Sequence, residues 1–125
     1  MNTISDFQLN NIVSICGGVM PVANAFSINM LSSSFHELLF TKIGIEDAKR
    51  LTAGDVSSHI GHADMAAVVG NLLGREVPMV RDTLKFRGVL LVAQYSGQRL
   101  PEGSTKLPEG ANVEFWLVED RSYYN

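Results

Sequence analysis

Residues 89–95 read Val89-Leu90-Leu91-Val92-Ala93-Gln94-Tyr95, an apolar run entered through Arg87-Gly88 and ended by Ser96-Gly97. A short, almost unbroken apolar run between two turn signals is typical of a central strand, so a sheet is expected to organise this chain. Beyond it, Pro-Glu-Gly occurs at 101–103 and again at 108–110, which is turn chemistry rather than an architectural repeat. A last strand is expected over Asn112 to Val118, with Val113, Phe115 and Leu117 on one face. On the other side of the central run the pattern has period two. Val80, Leu84 and Phe86 lie on one face, and Met79, Arg81, Thr83 and Lys85 on the other, as in a half-buried strand.

Farther back, Thr52-Ala53-Gly54-Asp55 has the spacing of a capping box, and Val56, Ile60, Ala63, Ala67 and Leu72 repeat at helical intervals up to a stop at Gly74. Gly61 interrupts that stretch at a cost of about 1 kcal/mol relative to Ala. A break there places His62 at the junction of two helices, with Asp64 in the first turn of the second. Ile45 to Leu51 reads as one or two helical turns, and Phe35 to Ile43 as a strand closed by Gly44. Val19 to Ala23 reads as a short buried strand that Pro21 confines to an edge or a strand start. Residues 1–18 form an N-terminal extension whose order the sequence leaves open, and 19–125 the domain proper. The fold expected is α/β, a single small domain with a central mixed sheet of about five strands and two or three helices.

At 125 residues the chain is long enough for one domain with a true core, and 46% hydrophobic against 18% charged residues separates it from disordered sequences. The net charge of −3 argues against a general polyanion binder, so duplex nucleic acid is not an expected partner. Cys16 is the single cysteine, which excludes an intramolecular disulfide and suits a reducing cytoplasm. The first twenty residues carry Asp6 and no Lys or Arg, unlike a secretory signal, and no apolar run is long enough to cross a bilayer.

Among chemistry-bearing residues, His62 has the one side-chain type here suited to donating and accepting a proton near neutral pH, although a lone histidine is ordinarily a surface or satisfied core residue. His59, three residues earlier, invites a zinc reading, but His36 and Cys16 are too distant in sequence to complete a ligand set, so no metal is expected and His59 reads as a solvated helix residue. Arg99 and Glu102 are either a surface ion pair or a phosphate-gripping guanidinium with a carboxylate that polarises an imidazole. Arg81 either snorkels to solvent or lines a ligand face. Asn24, Ser27 and Asn29 suit helix capping as well as ligand contact. Ser27 lacks the setting of a hydrolase nucleophile, and no glycine-rich nucleotide loop occurs, so no cofactor is expected.

Three segments taken together, Asn24-Ala25-Phe26-Ser27-Ile28-Asn29-Met30-Leu31, Ile60-Gly61-His62 and Gln98-Arg99-Leu100-Pro101-Glu102-Gly103, resemble the viral type III anti-CRISPR ring nuclease family, which includes cellular relatives beside CRISPR loci. The resemblance runs from about Val19 to Val118. It implies a homodimer of α/β subunits that binds cyclic tetra-adenylate at the subunit interface and cuts it without metal, in the cytoplasm of the host cell if the protein is viral. By the same resemblance His62 is the catalytic histidine, Glu102 its assisting acid and Arg99 the phosphate-side arginine, while Asn24, Ser27, Asn29, Arg81 and Gln94 contact the ligand. The alternative is a non-catalytic module that sequesters cyclic oligoadenylate or docks on a CRISPR effector. This chain departs from the family pattern in a stretch from Gln94 to Arg99 that is one residue longer, in a short Gly- and Pro-rich loop after Glu102 where relatives can carry a helix, and in its leader before Val19.

Overall fold

The computed structural model describes residues 3–32 and 34–124. In chain order they form α1 (Asp6–Ile15), β1 (Val19–Ala23), β2 (Leu38–Ile43), α2 (Ile45–Leu51), β3 (Asp55–Ser58), α3 (Ala63–Leu73), β4 (Val89–Ser96) and β5 (Asn112–Asp120), with 3-10 turns at Ile28–Met30 and Arg121–Tyr124. The central run is β4, the middle strand of a five-stranded sheet ordered β2-β5-β4-β1-β3. β1 is parallel to both β3 and β4, and β5 is antiparallel to both β4 and β2. Four strands therefore point one way and β5 the other, which makes the sheet mixed, as expected.

Alternation along β4 builds two cores. Val89, Leu91 and Ala93 join Met20, Val22, Phe115 and Leu117 beneath the helices, where Ile12 of α1, Leu51 of α2 and Val69 of α3 pack. Leu90 and Val92 face the other way and meet Ala23, Val118, Leu84 and Phe86. Among the described residues no α-helix covers that second face. Its lid is made by irregular chain, with Phe26, Met30 and Leu31 packed against it.

Three expectations change. Thr52-Asp55 is no helix start: Thr52 caps the end of α2, its hydroxyl donating to the Ala48 carbonyl at 2.8 Å, and Asp55–Ser58 is β3, parallel to β1. The misreading has a simple origin, because the spacing from Val56 to Ile60 is four and satisfies a period of two as well as one of 3.6. Arg75 locks the intervening turn, donating to the carbonyls of Thr52 and Gly54 at 2.6 and 2.5 Å. Second, residues 79–86 keep their alternating burial, with Leu84 9% and Phe86 3% exposed, yet they join no ladder. Instead the segment from Pro78 runs past the outer strand, its Pro78 carbonyl accepting from Ser58 Oγ at 2.6 Å and its Val80 amide donating to the Ile60 carbonyl at 3.0 Å. The strand count matches only because β3 replaces this segment.

Third, Pro21 lies in an interior strand rather than at an edge or a strand start. Its missing N–H is tolerated because the β1–β4 ladder begins one residue later, at Val22. The leader, whose order the sequence leaves open, contains α1, opened by a Ser5/Gln8 capping box in which Ser5 Oγ accepts from the Gln8 amide at 3.1 Å and Gln8 Oε1 from the Ser5 amide at 2.9 Å. The buried carboxylate of Asp47 accepts from the Ile4 amide and from Arg50, both at 3.0 Å, and Arg50 also reaches Asp6 at 2.7 Å. Ile4 and Ile12 are thereby held in the main core.

Candidate functional site at the carboxyl end of the parallel strands

Because β4, β1 and β3 are parallel neighbours, their carboxyl ends lie along one edge of the sheet. The Asn24–Asn29 segment leaves β1 there, Ile60-Gly61-His62 follows β3, and the Gln98–Gly103 segment follows β4. Segments separated by dozens of residues are thus gathered at the end where open α/β sheets place their ligands.

His62 is the N-cap of α3, in extended conformation and with no side-chain capping bond. Its exposed imidazole is therefore left for other work, at the positive end of an eleven-residue helix. Gly61, just before it, takes the Arg81 side chain across its face: Arg81 Nε donates to the Gly61 carbonyl at 3.0 Å, and a Cβ on Gly61 would stand 3.3 Å from Arg81 Cγ. The loop carrying Glu102 reaches the same helix end, where the Gly103 amide donates to Asp64 Oδ1 at 3.0 Å. A second tie joins Asn71 Nδ2 to the Thr105 carbonyl at 3.1 Å. His62, Arg81 and the Glu102 loop are thus brought together around the start of α3.

Arg99 lies in that same loop, exposed, and among the described residues neither it nor Glu102 forms an ion pair. The surface pair that their spacing allowed is not made. In the single chain His62 and Glu102 share no hydrogen bond.

Ser27, Asn29 and Gln94 form a second group on the helix-free side, and Asn24 follows directly on the end of β1. Ser27 caps the 3-10 turn by accepting from the Asn29 amide at 3.3 Å, and the Asn29 carbonyl is held by Lys85 Nζ. Phe26, between them, packs edge-on against Phe40 and Phe86 with centroids 5.5 and 6.3 Å away. Gln94 donates to the Tyr95 carbonyl at 3.3 Å and lines a hollow of about 180 Å³ with Phe26, Phe40, Val92 and Trp116. Chemically the arrangement offers one uncommitted imidazole, two guanidiniums, a carboxylate and several amide and hydroxyl groups along one edge.

His59 departs from its expected place. It is no helix residue but follows β3, partly buried and hydrogen-bonded through both ring nitrogens. Asp64 was legible only as a first-turn acid, and nothing in the sequence showed that it holds the Glu102 loop. Among the described residues no group of three His, Cys, Asp or Glu side chains could hold a metal ion, and no helix is long and apolar enough to cross a membrane.

Comparison with known proteins bears on the family and the fold. No curated protein matches the chain. Among solved structures, B116 of Sulfolobus turreted icosahedral virus superposes with a TM-score of 0.67 at 29% sequence identity, over 82% of this chain and 99% of that one. The B116 match supports the mixed α/β fold and a viral family. The family profile described as STIV B116-like matches residues 20–115, a span that takes in all the candidate residues. The chain belongs to the STIV B116-like family.

Proposed function

We propose that this protein is a metal-independent ring nuclease that opens cyclic tetra-adenylate, the second messenger of type III CRISPR defence, and so switches off the effector nucleases it activates. The observation that carries the reading is the gathering of three resembling segments at one edge of the sheet, with an uncommitted His62 beside Arg81 and the Glu102 loop.

RNA supplies its own nucleophile, the ribose 2′-hydroxyl. What the protein must add is an in-line pose, stabilisation of charge at phosphorus and a proton for the departing 5′-oxygen. Asn24, Ser27, Asn29 and Gln94 hold base, ribose or phosphate in that pose. Arg99 and Arg81 stabilise the developing negative charge, aided by the amino end of α3. His62, as imidazolium, gives its proton to the 5′-oxygen as the 2′-oxygen bonds to phosphorus and the bond from phosphorus to the 5′-oxygen breaks; the 2′-hydroxyl proton passes to solvent water, and Glu102 acts as the assisting acid that orients the ring. The products are linear di-adenylates ending in a 2′,3′-cyclic phosphate. A homodimer sets two copies of His62 about a two-fold axis, opposite one another across a ring that contains the same symmetry. The site of action is the host cytoplasm.

The test is incubation of excess protein with labelled cyclic tetra-adenylate in chelator, alongside His62→Ala, with the oligomeric state measured under the same conditions. Di-adenylate products from a wild-type dimer and intact ring from the variant are expected. Cleavage by His62→Ala at the wild-type rate removes His62 from the mechanism, and stoichiometric capture of intact ring by the wild type makes the protein a sponge.

A further inference from the structure

His59 sits in a relay that the ring-opening reaction does not use. Its Nδ1 is 2.9 Å from both carboxylate oxygens of Asp82, and its Nε2 is 2.8 Å from Ser57 Oγ. A carboxylate only accepts, so Nδ1 carries the proton of the neutral ring. Nε2 is then the acceptor, and the Ser57 hydroxyl donates to it. The order is hydroxyl, imidazole, carboxylate, the arrangement that makes a serine nucleophilic, and it is recognised by geometry rather than by position in a sequence.

The setting suits that use. Ser57 and His59 are two residues apart along an extended edge, so their side chains share one face, opposite Val56 and Ile60 in the helix-side core. The His59 side chain is only 14% exposed, and Asp82, on the segment flanking the sheet edge, fixes its orientation. Ser57 and His59 open on a cleft of about 490 Å³ whose walls include Pro21, Leu84 and Phe86, with Lys85 adding positive charge. A histidine that merely tethered the edge to residue 82 would need one nitrogen; here the second is aimed at a hydroxyl on a cleft wall.

We propose that Ser57, His59 and Asp82 form a second catalytic site, an acyl-transfer centre for small carboxylic esters with an apolar acyl group. Ser57 Oγ bonds to the carbonyl carbon while its proton passes to His59 Nε2 and the carbonyl electron pair moves onto oxygen. Collapse re-forms the carbonyl and breaks the bond to the alkoxide, which leaves as an alcohol with the proton from His59. Water then attacks the acyl-serine, again through His59, releasing the carboxylic acid and restoring Ser57. Asp82 stays ionised throughout. This inference is independent of the ring nuclease reading and shares none of its residues.

The experiment treats the full chain with a fluorophosphonate probe and with p-nitrophenyl acetate, and maps any adduct by peptide mass. Stoichiometric labelling at Ser57, absent from Ser57→Ala and slowed at least about 100-fold in Asp82→Asn, is the expected result. Both substitutions preserve shape closely, and matching circular dichroism and melting curves establish that they fold. A folded wild type that takes up no probe and does not turn over the ester, a label elsewhere than Ser57, or Asp82→Asn labelled at the wild-type rate overturns the proposal.

Discussion

Asp64→Ala tests whether the Glu102 loop belongs to the His62 site. Asp64 is two residues beyond His62 in α3, and its carboxylate accepts from the Gly103 amide at 3.0 Å, one residue past Glu102. A hydrogen bond to a charged partner contributes about 1.5–3 kcal/mol, and this one is exposed, so the lower end of about 1.5 kcal/mol applies. That is roughly a tenfold change in the balance between a docked and an undocked loop. The Asn71–Thr105 bond persists and keeps the loop from leaving altogether. Losing an acid from the first helical turn costs a further 0.3–1 kcal/mol or so, which appears in melting temperature rather than in the cleavage step. Single-turnover cleavage of cyclic tetra-adenylate is expected to slow about tenfold while affinity, set by other contacts, changes far less. Asp64→Asn retains an acceptor oxygen on the same rotamer and should recover most of the rate. Wild-type cleavage by Asp64→Ala, or no recovery in Asp64→Asn, refutes the claim that this bond positions Glu102.

Asp47→Ala should destabilise the fold by about 3 kcal/mol in urea titrations, since it strands the Ile4 amide and Arg50 around a buried acid, and hydrogen exchange should show α1 opening first. Asp120 contributes to the acid limb of stability: burial pushes its carboxyl up, but the Ser122 hydroxyl and amide and the His36 ring outweigh burial and leave it below its ordinary 3.8. A depressed carboxyl stabilises fully above the unfolded value and loses that contribution as pH falls through the native one, so Asp120→Asn should flatten the decline of stability below about pH 4, measured by denaturant titration across acid pH.

How legible the chain was depends on whether each signal was local. β4 announced itself because both its faces are buried, leaving no polar alternation to misread. α2 was legible at its observed bounds, Ile45 to Leu51, although Thr52, which caps its end, has the pattern of a new helix start. The Val56–Ile60 pair misled because an interval of four fits two periods, and only the parallel partner β1 decides between them. Residues 79–86 had the alternation of a strand and lacked a ladder, a difference that no residue in the segment records. The α1 box at Ser5 and Gln8 is a local signal, but the groups that hold the leader to the core, Asp47 and Arg50, lie more than forty residues from Ile4. The candidate site divides likewise. Its residue types were visible in three segments, whereas their meeting depends on strand order, and the Asp82 partner of His59 lies 23 residues off.

Charge supplies the last step. Of the cations at the candidate edge, Arg81 and Arg99 are the two that the reading assigns to phosphate, against four phosphates in the cyclic messenger and a chain of net charge −3. On the proposed reading one subunit does not match that ligand, and two related by a dyad would, with four guanidiniums and two imidazoles arranged about the same axis. The surface is suited to such a pairing. Ile28, in the turn between Ser27 and Asn29, is 78% exposed, and Phe40, on the helix-free face beside Gln94, is 47% exposed. Large apolar side chains set among the amides that the proposal assigns to ligand contact are costly against water and favourable against a copy of themselves. On the proposed reading, burial of those side chains and completion of the phosphate grip are one event, so a substitution that weakens the pairing would lower messenger affinity without touching a residue that meets the messenger.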